Sequence, residues 1–218
     1  MNAFPHNSTV ILVHGAWADG SCWRDVILPL ERQGLRVICA PIPLTSLSDD
    51  VSALTRVVER TEGPVVLGGH AYGGAVIAGI RDERVKSLVY VAALAPEEGE
   101  TVAQVFYRDE PHAEAPKLSP DKYGFIWMLE DGFRRAVAHN ASSEQTRILS
   151  AVQRPISVQC IQEEAPVPGW PNGCKDPLKS RRPQPDVHRD PLCCRCDSGS
   201  GSREPFAVAR LQGFEGKK

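Results

Sequence analysis

Apolar residues arrive along this chain in short runs that stop at glycine, histidine or proline. Between those runs they recur every three or four positions. Val10-Ile11-Leu12-Val13 is continuous and stops at His14-Gly15, the pattern of a buried strand. From about Ser21 to Arg32, Trp23, Val26, Ile27 and Leu30 fall at helical spacing, and Gly34 ends the helix. Leu35 to Cys39 predicts a second strand, closed by Pro41 and Pro43. Ser48 or Asp49 caps the next helix, whose apolar face is Val51, Leu54, Val57 and Val58, and Gly63-Pro64 breaks it. Val65-Val66-Leu67 predicts a third strand, turning through Gly68 to Gly74 into an Ala/Val/Ile-rich helix that reaches about Ile80. Val85 to Leu94 predicts a fourth strand, ending at Ala95-Pro96.

Strands that alternate with helices and are apolar along their whole length imply a parallel sheet covered on both faces. Ligands of such sheets bind beyond the carboxyl ends of the strands. The exits at His14, Gly68 and Ala93 are therefore expected to converge on one site. From about Glu97 to Arg154 the strand signal disappears. Phe125, Ile126, Met128, Leu129, Phe133 and Val137 predict one helical face, and Ile148, Leu149 and Val152 another. An all-helical insert at this place reads as a cap over a pocket. The expected organisation is a core from residues 1–96, a helical cap over 97–154, and the remainder of the core with an irregular tail over 155–218. Beyond Trp170, prolines from Pro171 to Pro191 interrupt every candidate element, and Ser198 to Ser202 is linker-like. Only Phe206 to Ala209 and Leu211 suggest a last short element, so the tail reads as weakly structured.

Length and composition narrow the class. The 218 residues fit one domain that can bury a core without staples, with 42% hydrophobic and 24% charged residues. A net charge of -2 gives no field favouring nucleic acid or anionic membrane. No apolar run is long enough to span a bilayer, and the polar stretch Met1 to Thr9 predicts no signal peptide, which makes the cytoplasm the default location. Of the seven cysteines, Cys22, Cys39 and Cys160 read as small hydrophobes. Cys174, Cys193, Cys194 and Cys196 crowd the tail without the paired spacing of a zinc site, so neither metal nor cofactor is expected.

The chemistry centres on Gly69-His70-Ala71-Tyr72-Gly73. A strand, a sharp turn and a helix carrying Gly-x-Ser-x-Gly form a nucleophile elbow, which sets a serine on a strained bend with small residues around it. The setting is complete here, but the central residue is Ala71, which has no oxygen and no ionisable proton and cannot form an acyl-enzyme.

The stretches Val10 to Trp23, Pro43-Leu44-Thr45-Ser46-Leu47, Gly69 to Gly74 and Leu88 to Pro96 resemble small bacterial esterase-type α/β-hydrolases, related to the plant methylesterase and hydroxynitrile lyase group. The likeness runs from about Val10 to Trp170. It implies an α/β-hydrolase fold, a mostly parallel sheet flanked by helices with a helical cap, incomplete at the C-terminus. It implies an oxyanion hole from the backbone amides of Ala16 and Tyr72 and an exit loop shaped by His14-Gly15, with Trp17 and Trp127 beside a small ester or carbonyl ligand. It also implies Ser-His-Asp hydrolysis, from which the chain departs twice. Ala71 stands at the nucleophile position, and the late strand and histidine are missing from the tail. Asp176 lies where the acid would be, and His188 is the candidate base. Ser202 to Phe206 is similar to the turn that carries the histidine but contains none, as in the product of a shifted reading frame or a degenerated gene.

His70 reads as a packed histidine, His14 as an organiser of the loop, and His112 and His139 as solvent-facing. Glu97 and Glu98 read as charge at the start of a helix. The expected function is that of an ester hydrolase whose serine chemistry is lost or weakened. The alternatives are a lyase-like enzyme using a histidine base and a ligand-binding pseudoenzyme.

Overall fold

The computed structural model describes residues 7–108, 115–116, 118–138 and 141–169, and the backbone of 193–194. The first strand, β1 (Thr9–Val13), is buried along its whole length. A single 3-10 turn (Gly20–Trp23) leads into α1 (Arg24–Glu31), followed by β2 (Arg36–Cys39), α2 (Leu47–Glu59), β3 (Val65–His70), α3 (Gly73–Ala78) and β4 (Val85–Val91). Beyond them come α4 (Val102–Phe106), β5 (Phe125–Ile126), α5 (Glu130–Ala136), α6 (Ser143–Ala151), β6 (Ile156–Ser157) and α7 (Val158–Gln162). A two-residue strand, β7 (Cys193–Cys194), closes the series.

The main sheet has the order β2-β1-β3-β4-β7. The first four strands run parallel, and β7 joins β4 antiparallel, Leu88 opposite Cys194 and Val89 opposite Cys193. Register brings Val13 opposite Gly69 and His70 opposite Val91, so the strand exits lie side by side. The expectation of a parallel sheet flanked by helices holds.

The two-residue period of the strands sorts the core into two faces. Val10, Leu12 and Val66 pack with Trp23 and, from α1, Val26, Ile27 and Leu30. Ile11, Val13 and Leu67 point the other way, onto Leu54 and Val58 of α2 and Val76 and Ile77 of α3. Each aliphatic side chain so buried contributes about 1.5–3 kcal/mol over an exposed one. Both faces of β1 being covered explains its unbroken apolar run.

Three boundaries differ from the sequence expectation. The cap of α2 is Ser46, whose Oγ accepts from the Asp49 amide at 3.0 Å, rather than Ser48 or Asp49. This start lets α2 bury Leu47 at 1% exposure. The third strand runs on through Gly68 and Gly69 to His70, because those glycines are extended. The segment 97–154 is not all helical: Phe125 and Ile126 form β5, paired antiparallel with β6, and the helix there is limited to Glu130–Ala136. Met128, Phe133 and Ala138 make a small third cluster against Leu118 and Leu149.

Candidate active site

Two residues, Ala71 and Tyr72, join β3 to α3. Ala71 has φ +48, a left-handed conformation that costs an L-residue roughly 1–2 kcal/mol. Its backbone is held from three directions. The Ala71 carbonyl accepts from Gly74 at 3.0 Å and from Leu94 at 2.9 Å, and its amide donates to Val91 at 3.4 Å. The surrounding glycines are imposed by close approach. A Cβ on Gly69 would sit 2.5 Å from the Gly73 carbonyl oxygen, and one on Gly73 would sit 2.6 Å from that of Val13.

The first exit loop closes on this bend. A Cβ on Gly15 would lie 3.0 Å from the Ala71 Cβ and 3.2 Å from the His70 carbonyl oxygen, so the Ala71 methyl faces Gly15. Strain is concentrated along the same edge. The non-glycine residues with positive φ among those described are Asn7, Trp17, Leu44, Ala71 and Ala92. All but Asn7 lie just beyond the carboxyl ends of β1, β2, β3 and β4 in turn. Such residues persist only where the surrounding structure over-determines them, and they gather at functional sites.

The side chains expected at the site are distributed as follows. His14 is 1% exposed; its Nδ1 donates to the Gly15 carbonyl at 2.9 Å, and its Nε2 has no hydrogen-bond partner among the described residues. Burial lowers the His14 pKa, against an opposing contribution from the Gly15 bond. Burial also lowers that of His70, which meets the edge of Trp23 with ring centroids 6.3 Å apart. Both imidazoles are held toward the neutral form. Ala16 is half-buried against the main core, and Tyr72 is buried. Trp17 donates its indole N–H to the Ile126 carbonyl at 3.0 Å, tying the first exit loop to β5, and it packs on both the main core and the third cluster. Trp127 is half exposed, and its side chain is hydrogen-bonded to Asp121. Asp176 and His188 lie outside the described residues, as do His112 and His139 and the cysteines of the tail other than the Cys193–Cys194 backbone. Among the described residues no cluster of His, Cys, Asp or Glu could hold a metal ion, and no helix is long and apolar enough to cross a membrane.

One group next to the bend escaped sequence reasoning. Asp50 of α2 is fully buried; its Oδ1 accepts from the Leu44 amide at 2.7 Å, and its Oδ2 accepts from the Tyr72 hydroxyl at 2.7 Å. The Cys160 thiol approaches Oδ2 at 3.6 Å. Burial raises the carboxyl's pKa and its three donors act in the opposite sense. Burial also raises the Tyr72 phenol, helped by Asp50, and pushes the Cys160 thiol up to about 12. The available signal was position: Asp50 lies three residues after Leu47 and four before Leu54, on the buried stripe of α2, where an acid is rare without partners.

Comparison with known proteins agrees with this fold. A family model described as the alpha/beta hydrolase family matches residues 10–211. The chain is 32% identical over 131 residues to the carbendazim hydrolyzing esterase of Nocardioides sp. (strain SG-4G), covering 52% of each chain. It is 30% identical over 121 residues to the pyrethroid hydrolase of Sphingobium wenxiniae (strain DSM 21828 / CGMCC 1.7748 / JZ-1), covering 49% of this chain and 43% of that one. The chain thus spans about half the length of the curated relatives it matches. Among solved structures, polyneuridine aldehyde esterase has a similar fold, with a TM-score of 0.62 and 17% identity, covering 74% of each chain.

Proposed function

The chain belongs to the alpha/beta hydrolase family, and on that premise we propose that it is an esterase-type member whose serine chemistry is lost or weakened while its site still binds small ester or carbonyl compounds. The carrying observation is Ala71: a strained bend at φ +48, packed by Gly15, Gly69 and Gly73, bears a methyl group where the elbow motif bears its nucleophile. Without an oxygen there, no acyl-enzyme forms at this position.

In this proposal the amides of Ala16 and Tyr72 receive the ligand's carbonyl oxygen, and His14, Gly15, Trp17 and Trp127 shape the space around it. Residues 1–96 and 155–218 contribute the core and 97–154 the cap. Asp176 and His188 are the candidate acid and base. What supports the reading is that Gly15 and Ala71 meet at the sheet's carboxyl edge, where ligands of parallel sheets bind.

Thermal unfolding with short-chain methyl esters, run alongside NMR assay of ester consumption, tests the proposal. Binding to the folded chain raises Tm, because about 100-fold excess over Kd adds about 2.7 kcal/mol of stability. The expected result is a rise in Tm with no consumption beyond the buffer rate. Multiple-turnover consumption by the wild type would refute the loss of serine chemistry, and no Tm response to any ester would refute ligand binding. A lyase-like enzyme with a histidine base would instead consume a carbonyl compound without hydrolysing esters, and would lose that activity in His188→Ala.

A further inference from the structure

Asp50 is a buried carboxylate whose hydrogen-bond donors among the described residues are an amide, a phenol and a thiol, all uncharged. Ionised and buried without a cation, such a group is costly, and apolar packing is the ordinary occupant of its place on α2. Its position gives it a use. Leu44, which it holds, has φ +62 and follows β2; Tyr72, which it also holds, directly follows Ala71 at φ +48. One side chain therefore ties together two strained strand exits. Leu44 is fixed on its other side, where its carbonyl accepts from the Ser157 amide of β6 at 3.0 Å, so the tie has an anchored end.

We propose that Asp50 is a positioning residue: by holding the Tyr72 hydroxyl from α2 it fixes the orientation of the Tyr72 peptide at the bend, and through it the affinity of the site for an anionic oxygen. The inference rests on the reading of the Tyr72 amide as an oxyanion donor. Such a donor acts only when it is aimed in advance. Tyr72 is the last residue before α3; the peptide that carries its amide is held on the carbonyl side, where Ala71 accepts from Gly74 and Leu94, and the phenol adds a tie to α2. With the phenol freed, the tie to α2 is lost at a bend that is already strained, and the aim of the peptide rests on the Ala71 carbonyl bonds and ring packing alone.

The test uses two probes with the same butyl and methoxy groups, methyl butylphosphonate, a tetrahedral monoanion, and methyl pentanoate, its uncharged planar ester counterpart. Both are titrated into the wild type, Tyr72→Phe, Asp50→Ala, the double variant and Asp50→Asn, with the backbone amide resonances of Ala71 and Gly73 followed in each. Tyr72→Phe and Asp50→Ala are expected to weaken the phosphonate about tenfold, a typical coupling between sites, and the ester by less than about twofold. The double variant should bind no worse than either single one, because both cut the same bond. Asp50→Asn, which can still bond both partners, should recover most of the affinity. Should Asp50→Ala fail to fold, Tyr72→Phe decides alone.

An unchanged phosphonate-to-ester ratio in Tyr72→Phe would overturn the proposal, leaving Asp50 a role in packing only. If the wild type binds neither probe, the functional reading fails, and the amides decide this inference. Displaced or doubled Ala71 and Gly73 resonances in Tyr72→Phe support it, and unmoved resonances refute it.

Discussion

Replacing Gly73 by alanine tests the close packing on which the bend depends. Gly73 opens α3, and its φ is not positive, so the backbone itself accepts an L-residue and helix propensity favours alanine by about 1 kcal/mol. Space forbids it. The new Cβ would lie 2.6 Å from the Val13 carbonyl oxygen and 2.8 Å from that of His14, where ordinary contact begins at 3.4 Å. These are backbone atoms at the end of β1, so α3 and the β1 exit would have to separate by about 0.8 Å. Overpacking of this kind costs about 1–3 kcal/mol, and the rigidity of both partners places it at the upper end. Set against the propensity gain, the net loss is about 2 kcal/mol, a fall in Tm of roughly 4–8 °C at the usual sensitivity of domains of 150–250 residues. Urea unfolding of wild type and variant, analysed at constant m, measures it. A loss below about 0.5 kcal/mol, or a gain, would mean that α3 does not approach the first exit loop as described.

Two further perturbations probe neighbouring parts of the structure. Trp17→Phe removes the donor to the Ile126 carbonyl and should cost about 1–3 kcal/mol, with faster amide exchange at β5 than in the wild type; equal exchange would show that the indole does not hold β5 to the first loop. Asp50→Asn should change the pH dependence of stability. The folded-state pKa of Asp50 is raised above its ordinary 3.8, so the folded chain binds a proton more readily than the unfolded one. That contribution is full below 3.8 and is lost as pH rises through the raised value. Among the described residues, the groups facing the carboxyl, Tyr72, Cys160 and the Leu44 amide, carry no positive charge, and the negative charge of Asp49 repels it. The stability of Asp50→Asn relative to wild type should therefore climb with pH across that window and level off above it. A difference that falls with pH in urea unfolding would reverse the sign of the shift.

Much of the fold was legible because its rules are local. Val10 to Val13 stopped at His14-Gly15, and the strand is there, buried on both faces. The elbow was legible from its glycines, since their spacing reflects the approach of Gly73 to β1 and of Gly69 to Gly73. The same glycines misled at the end of β3, where Gly68 and Gly69 looked like a turn. Neither has positive φ; they are small because Leu12 and Gly73 press on them, so the strand continues to His70. Phe125 and Ile126 were read as helix because their partners in β6 lie some thirty residues away, beyond any periodicity. Asp50 was passed over in favour of its neighbour Asp49, because a helix start explains an acid there without asking which way it points. The candidates Asp176 and His188 fall outside the described residues.

The most direct measurement is the mass of the peptide spanning Val65 to Arg81 after the folded chain is mixed with p-nitrophenyl acetate and quenched within the first turnover. The methyl group at Ala71 predicts an unmodified peptide and no burst of p-nitrophenol, in the wild type. An acetyl group on that peptide, formed in step with a burst, would contradict the loss of nucleophilic chemistry at the bend.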